Sequence, residues 1–197
     1  LKQGGKRRGA NMGILNDNHP DIVEFVLAKS DETTLANFNI SVGASDDFME
    51  AAARKKNWTL INPRTGKEVQ SINAGELFEM IVNNAWRTGD PGLIFLDEID
   101  RRNPTPHLGR LEATNPCGEL PLLPYESCNL GSINLAKMVI NGKIDWEKLG
   151  KIVYLIVHFL DNVIEANVFP LPQIEQITRQ GNRKIGLGVM GFADALV

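Results

Sequence analysis

Runs with a period of two alternate with runs of period near 3.6 along this 197-residue chain. That alternation commits it to helices layered on sheet, the α/β class. "ANMGIL" (10–15) reads as a short strand. "PDIVEFVLAK" (20–29) reads as a helix, with Pro20 in its first turn and Ile22, Val23, Phe25 and Val26 on its buried face. "NFNISV" (37–42) alternates, so Phe38, Ile40 and Val42 share one side of a strand. "SDDFMEAAARKKN" (45–57) is a helix capped by Ser45, and 58–72 is a hairpin around a Pro/Gly turn. "NAGELFEMIVNNAWRTG" (73–89) has a capping box at Asn73 and Glu76 and ends at Gly89. Its apolar stripe is Leu77, Phe78, Ile81, Val82, Ala85 and Trp86. "GLIFLDEID" (92–100) predicts a buried strand with a polar end. Residues 145–167 predict a long helix and 172–180 a short one, and "KIGLGVMGFADALV" (184–197) a strand or loop feeding a helix.

Composition narrows the function. A net charge of -3 gives no general attraction to nucleic acid or an anionic membrane. The longest apolar run, "IVYLIVHFL", is too short to span a bilayer. Two cysteines make no disulfide framework, so a thiol enzyme of the cytoplasm is expected, and no secretory signal is read. The ends look cut, which predicts a piece of a larger polypeptide, the alternative being a small processed protein.

The two cysteines sit in "NPCGEL" (115–120) and "SCNLGSINL" (127–135). If the first segment is extended, Asn115, Cys117 and Glu119 face one pocket, with Pro116 and Gly118 on the other side. A carboxylate beside a thiol disfavours a second negative charge, so a neutral Cys117 is expected. That suits neither a thiolate nucleophile nor a zinc ligand. A neutral S–H suits one-electron chemistry, with the carboxylate placed to take a hydroxyl proton and the amide to hold another hydroxyl.

At these residues the chain resembles the catalytic core of the large subunit of ribonucleotide reductase, and "NPCGE" resembles its adenosylcobalamin-dependent class. "KQGGKRRGANMGIL", "NFNISVGASDDFMEA", "GDPGLIFLDEIDRRNP" and "RKIGLGVMGFADAL" are similar to further segments of that family, in its order.

The resemblance implies one catalytic domain over 1–197, part of a ten-stranded α/β barrel of two parallel half-sheets, with the radical cysteine on a central loop at 114–130. It implies that Cys117 carries a thiyl radical and removes the substrate's 3′-hydrogen. Asn115 would bond the ribose hydroxyls and Glu119 take the 3′-hydroxyl proton. Cys128 would be one of a redox pair whose other member lies upstream, a structural thiol or a Cys117–Cys128 disulfide being the alternatives. The loop at 1–9, with Lys2, Gln3, Gly4, Gly5, Lys6 and Arg7, would carry effector identity to the substrate. Expected ligands are a ribonucleoside di- or triphosphate, dNTP or ATP effectors and adenosylcobalamin, or else a radical from a diiron partner subunit. Thioredoxin or glutaredoxin and a second copy of the full-length chain are the expected partners. Two other readings stand beside this one: a hydrolase with Cys117 as nucleophile, and a non-catalytic nucleotide-binding module around "QGGKRRG".

Several signals are discounted. Gly186, Gly188 and Gly191 spell G-x-G-x-x-G, but "GNRK" before them is no buried strand, so they are read as tight packing between strand and helix. His19, His107 and His158 lack metal-ligand spacing. "DEIDRR" (97–102) reads as a solvated strand end, and Trp58, Trp86 and Trp146 as core or interface anchors.

Overall fold

The computed structural model describes residues 2–3, 7–31 and 33–197, with the backbone alone at 2, 3, 7 and 8. Two compact units divide the chain, Leu1–Leu123 and Pro124–Val197.

In the first unit, β1 (Lys2–Gln3) pairs antiparallel with β2 (Arg7–Arg8), then β3 (Asn11–Asn16) leads through α1 (Ile22–Leu27) to β4 (Phe38–Ala44). α2 (Asp46–Ala53) is capped by Ser45, whose hydroxyl accepts the Phe48 N–H at 3.1 Å. A hairpin of β5 (Asn57–Ile61) and β6 (Glu68–Asn73) precedes α3 (Ala74–Thr88). Asn73 caps α3 by accepting from Glu76 N at 3.2 Å, and Gly89 ends it at φ 85°. β7 (Gly92–Phe95) completes a parallel sheet in the order β3–β4–β7, and α4 (Leu96–Arg101) follows directly.

The apolar side chains of α1, α2 and α3 meet one another and β4 in a core around Phe48, Ile22, Val42 and Leu77. β4 departs from the simple alternation. As the central strand it is covered on both faces, and Ile40, Ser41, Val42 and Ala44 are all buried. The stripe of α3 also runs differently from the reading above. Leu77, Ile81 and Asn84 face inward, four and three residues apart, while Val82 and Trp86 point to solvent, Trp86 at 85% exposure. Asn84 is held there by the Ser30 hydroxyl at 3.1 Å and by its own bond to Met80 O. The run 92–100 is not one strand. It turns helical at Leu96, where Asp97 and Glu98 complement the helix N-terminus. A short hairpin of β8 (Ala113–Thr114) and β9 (Pro121–Leu122) closes the unit.

The second unit is built on β10 (Asn129–Asn134) and a 3-10 turn, Leu135–Met138, followed by the ribbon of β11 (Val139–Ile140) and β12 (Lys143–Ile144). The long α5 (Trp146–Ala166), capped by Asp145, leads to α6 (Pro172–Ile177) and a π turn, Thr178–Asn182. β13 (Ile185–Met190) then lies parallel to β10, and α7 (Phe192–Leu196) ends the unit. Gly131 lets α5 approach β10: a Cβ there would stand 3.2 Å from Ile156 Cγ2. Asn129 donates to Leu160 O at 2.9 Å and pins strand to helix. Leu160 and Ile164 are buried, whereas Tyr154, Leu155 and Phe159 lie open.

The mixed α/β class is as read. Among the described residues no closed barrel forms: the widest sheet has three strands and the others two. Among them, too, no helix is long and apolar enough to cross a membrane.

Candidate active-site segments

The first cysteine lies in a turn, not in a strand. β8 and β9 pair Ala113 with Leu122 and Thr114 with Pro121, and the chain reverses between them. Asn115 O accepts Gly118 N at 2.9 Å, Gly118 takes φ 80°, and Asn115 Oδ1 accepts Leu120 N at 3.0 Å. The extended arrangement that would line up Asn115, Cys117 and Glu119 by alternation is therefore corrected. Asn at the first turn position, Pro at the second and Gly at the fourth is turn chemistry, and it overrides a period-two reading of six residues. Cys117 and Glu119 are exposed on this turn and Asn115 is half-buried.

The base of the hairpin is fixed by α4. Arg110 bonds Asp97 at 2.8 Å and Asp100 at 3.0 Å, and Asp100 also accepts Leu111 N at 3.0 Å. Asp97 reaches the other way to accept Asp46 N at 2.9 Å, and that N–H, with Arg110, holds its carboxyl below the ordinary aspartate value against partial burial. "DEIDRR" is thus a helix that clamps neighbouring segments rather than a solvated strand end.

Cys128 stands one residue before β10. The pairing of Asn129 with Ile185 sets it beside Lys184 at the start of β13. It is half-buried, and its Sγ lies 3.4 Å from Asn129 O. Lys184 Nζ meets Glu126 Oε2 at 2.6 Å, and the Glu126 side chain is wholly buried. Asn182 donates to the other Glu126 oxygen, and Ser127 is tied through its N–H to Thr178 Oγ1 at 3.2 Å. Burial pushes the Cys128 thiol above its ordinary value; Lys184 opposes this and Glu126 adds to it. Both cysteines are free, so the disulfide alternative is not formed.

Of the loop at 1–9, Lys2 lies opposite Arg8 and Gln3 opposite Arg7 in backbone register. Gly4, Gly5 and Lys6 lie outside the described residues.

Sequence reasoning missed a cleft of about 920 Å³ in the first unit. It opens at the carboxyl ends of β3, β4 and β7, where Asn16, Asp17, Ser45 and Asp97 line it with Trp58 and Arg110. Crevices outside the carboxyl ends of parallel strands are the usual ligand positions of open α/β sheets, and polar residues directly after "NMGIL" were the available signal. Asp17 accepts Ser45 N at 2.6 Å and Ser45 Oγ at 2.8 Å, and Trp58 Nε1 donates to its carbonyl at 3.1 Å. Burial lifts the Asp17 carboxyl above the ordinary aspartate value, with the Ser45 bonds opposing. Asn115, Cys117 and Glu119 do not line this cleft.

Of the G-x-G-x-x-G glycines, Gly186 and Gly191 pack tightly, though against β10 and the turn after it rather than against a helix, while Gly188 makes only ordinary contacts. A Cβ on Gly186 would overlap Leu130 Cδ2, and one on Gly191, at φ 66°, would overlap Asn134 Oδ1.

The family model for "Ribonucleotide reductase, barrel domain" matches residues 1–197. A vitamin B12-dependent ribonucleoside-diphosphate reductase of Thermoplasma acidophilum is 60% identical over 199 residues, covering 100% of this chain and 26% of that protein. The one of Mycobacterium tuberculosis (strain CDC 1551 / Oshkosh) is 53% identical over 197 residues, covering 100% of this chain and 28% of that protein. The ribonucleoside-diphosphate reductase subunit alpha of Chlamydia pneumoniae is 31% identical over 231 residues, covering 100% of this chain and 22% of that protein. The chain spans about a quarter of the length of these curated relatives. With the match running from its first residue to its last, the chain belongs to the ribonucleotide reductase barrel-domain family.

Proposed function

We propose that this chain is the radical-chemistry segment of a ribonucleotide reductase catalytic subunit, which makes 2′-deoxyribonucleotides for DNA synthesis. The observation behind this is the end-to-end family match together with the two cysteine segments it spans. Both units belong to one barrel domain in this reading, with a specificity loop at 1–9 and a catalytic loop at 114–130. A ribonucleoside diphosphate is the substrate, as in the names of the Thermoplasma acidophilum and Mycobacterium tuberculosis relatives.

Cys117, as a thiyl, takes the 3′-hydrogen atom of the ribose. Glu119 accepts the 3′-hydroxyl proton. The 2′-hydroxyl leaves as water with a proton from the cysteine pair, whose other proton goes to the 2′-carbon. Cys117 finally returns the hydrogen atom to the 3′-carbon and regains its thiyl. Asn115 holds the ribose hydroxyls. Cys128 and an upstream cysteine supply two electrons and become a disulfide, which a thioredoxin-type dithiol reduces. Exposure of Cys117 on a turn, between the uncharged Pro116 and Gly118, fits a thiol reached by a bulky external radical source. Adenosylcobalamin, named for the relatives as vitamin B12, supplies the unpaired electron when bound. dNTP or ATP effectors act through the loop at Lys2, Gln3 and Arg7, and the full-length enzyme works in the cytoplasm as a homodimer.

The test uses the full-length reductase with a substrate labelled at the 3′-carbon. Cys117→Ser abolishes both 3′-C–H cleavage and product. Cys128→Ser keeps the cleavage but stops turnover with the dithiol reductant. Undiminished turnover in either variant removes the corresponding role.

A further inference from the structure

We infer that the buried Glu126–Lys184 ion pair positions charge around Cys128, so that Lys184 receives the thiolate released when the redox disulfide is opened and Glu126 offsets that ammonium while the sulfur rests. The inference rests on the reading of Cys128 as a redox thiol and deepens it. Three features of the second unit point to it. The parallel register of β10 and β13 sets Cys128 beside Lys184. Lys184 Nζ is 2.6 Å from Glu126 Oε2, with side-chain exposures of 15% and 0%. Asn182 fixes the second carboxylate oxygen, so the pair has a set orientation. The other charges nearby are engaged elsewhere: Arg183 bonds Asp161 at 2.8 Å and Glu165 at 3.2 Å on α5. Among the described residues the charged groups acting on Cys128 are Lys184 and Glu126, and they pull in opposite directions.

The chemistry gives such a pair a use. When an external dithiol attacks the disulfide, its thiolate bonds to one sulfur and the S–S bond breaks. The electron pair departs on the other sulfur, and a better-stabilised thiolate leaves faster. With Cys128 as the departing sulfur, the neighbouring ammonium stabilises the charge until a proton arrives. Between turnovers the carboxylate offsets that ammonium, and the burial of the thiol favours S–H.

Iodoacetamide labelling of reduced full-length reductase, read by mass spectrometry on the Cys128 peptide across pH 6 to 9, tests this. A tenfold change in thiolate population changes such a rate about three- to fourfold, because nucleophilicity falls as the thiolate is stabilised. Lys184→Met should slow labelling by at least about threefold and Glu126→Gln should speed it by about the same factor. Lys184→Arg, which keeps the charge, should match the parent. Faster labelling in both Lys184→Met and Glu126→Gln, the signature of a loosened strand end, overturns the inference, as do unchanged rates. Failure of the redox reading shows separately, as undiminished turnover in Cys128→Ser.

Discussion

The three glycines of "GLGVMG" allow a packing explanation to be separated from a dinucleotide fingerprint. In a fingerprint, the second glycine lets the backbone approach a pyrophosphate and each of the three is needed. The structure ranks them differently. Gly191 holds a left-handed φ of 66°, which costs any L-residue roughly 1–2 kcal/mol. A Cβ there also displaces Asn134, whose Oδ1 caps the following turn by accepting Ala136 N at 3.1 Å, and a lost cap costs about 1 kcal/mol. Gly191→Ala should therefore destabilise the β13–α7 region by about 2–3 kcal/mol. Gly186→Ala overlaps the flexible end of Leu130, which is half exposed, and otherwise makes ordinary contacts, Cys128 Sγ among them. Its cost is largely offset by the roughly 0.4–1 kcal/mol gained from a less flexible unfolded chain. Gly188→Ala would stand 3.5 Å from Ser132 Oγ, an ordinary contact, and should be neutral or slightly stabilising. Hydrogen exchange on the full-length enzyme, followed on peptides covering 185–197, reads local opening directly, where one melting temperature for a large protein would not. A loss at Gly188 equal to that at Gly191 would refute the packing account.

Two further outcomes follow from the charge pattern. Arg110→Ala should change global stability little, since the pairs it makes are largely solvent-screened, yet hydrogen exchange over 103–123 should rise severalfold as the hairpin base loosens. Asp17 has a raised folded value, so the native state keeps a proton that the unfolded chain has lost, and stability falls as pH rises through that window above the ordinary aspartate range. Asp17→Asn keeps an acceptor for Ser45 and should remove this slope. In thermal scans of the intact enzyme its advantage over the parent should shrink on acidification, and a gap independent of pH would contradict the assignment.

What the sequence made legible follows the range of the forces involved. Ser45 and Asn73 cap their helices as the local pattern requires, because a cap is decided within four residues. Trp86 was misplaced because a helical stripe read without its partners can be drawn a third of a turn off, and Asn84, tied to Ser30 from 54 positions away, took the inward place. "NPCGEL" misled because a period-two reading is weak over six residues, while the Asn-Pro-x-Gly turn signature in it was strong and went unused. β10 was not read as a strand at all. Its pairing with β13 is non-local, and nothing near 129–134 announces it. The Glu126–Lys184 pair was hidden for the same reason, its partners being 58 residues apart.

The hairpin that presents Cys117 has strands of two residues each, too short to hold a conformation by their own pairing. Its geometry must be imposed from its base. There the route is continuous: Asp46 N at the start of α2 bonds Asp97, Asp97 bonds Arg110, and Arg110 and Leu111 N share Asp100. Asn103 closes the intervening loop by donating to Gly109 O at 2.9 Å. Asp46 stands on α2, and Asp97 and Asp100 stand on α4, the helix that directly follows β7 of the β3–β4–β7 sheet. The position of an exposed thiol is thereby referred to the buried core around Phe48 rather than to the few residues beside it. In the proposed hydrogen transfer the sulfur must be held about 3–3.5 Å from the reacting carbon, and a misplacement of about 1 Å can cost roughly a hundredfold in rate. Substitutions at Asp97 or Asp100, which touch no substrate in the proposed reaction, should therefore lower the rate of 3′-C–H cleavage while leaving substrate affinity nearly unchanged. Equal losses in both would assign those acids to binding instead.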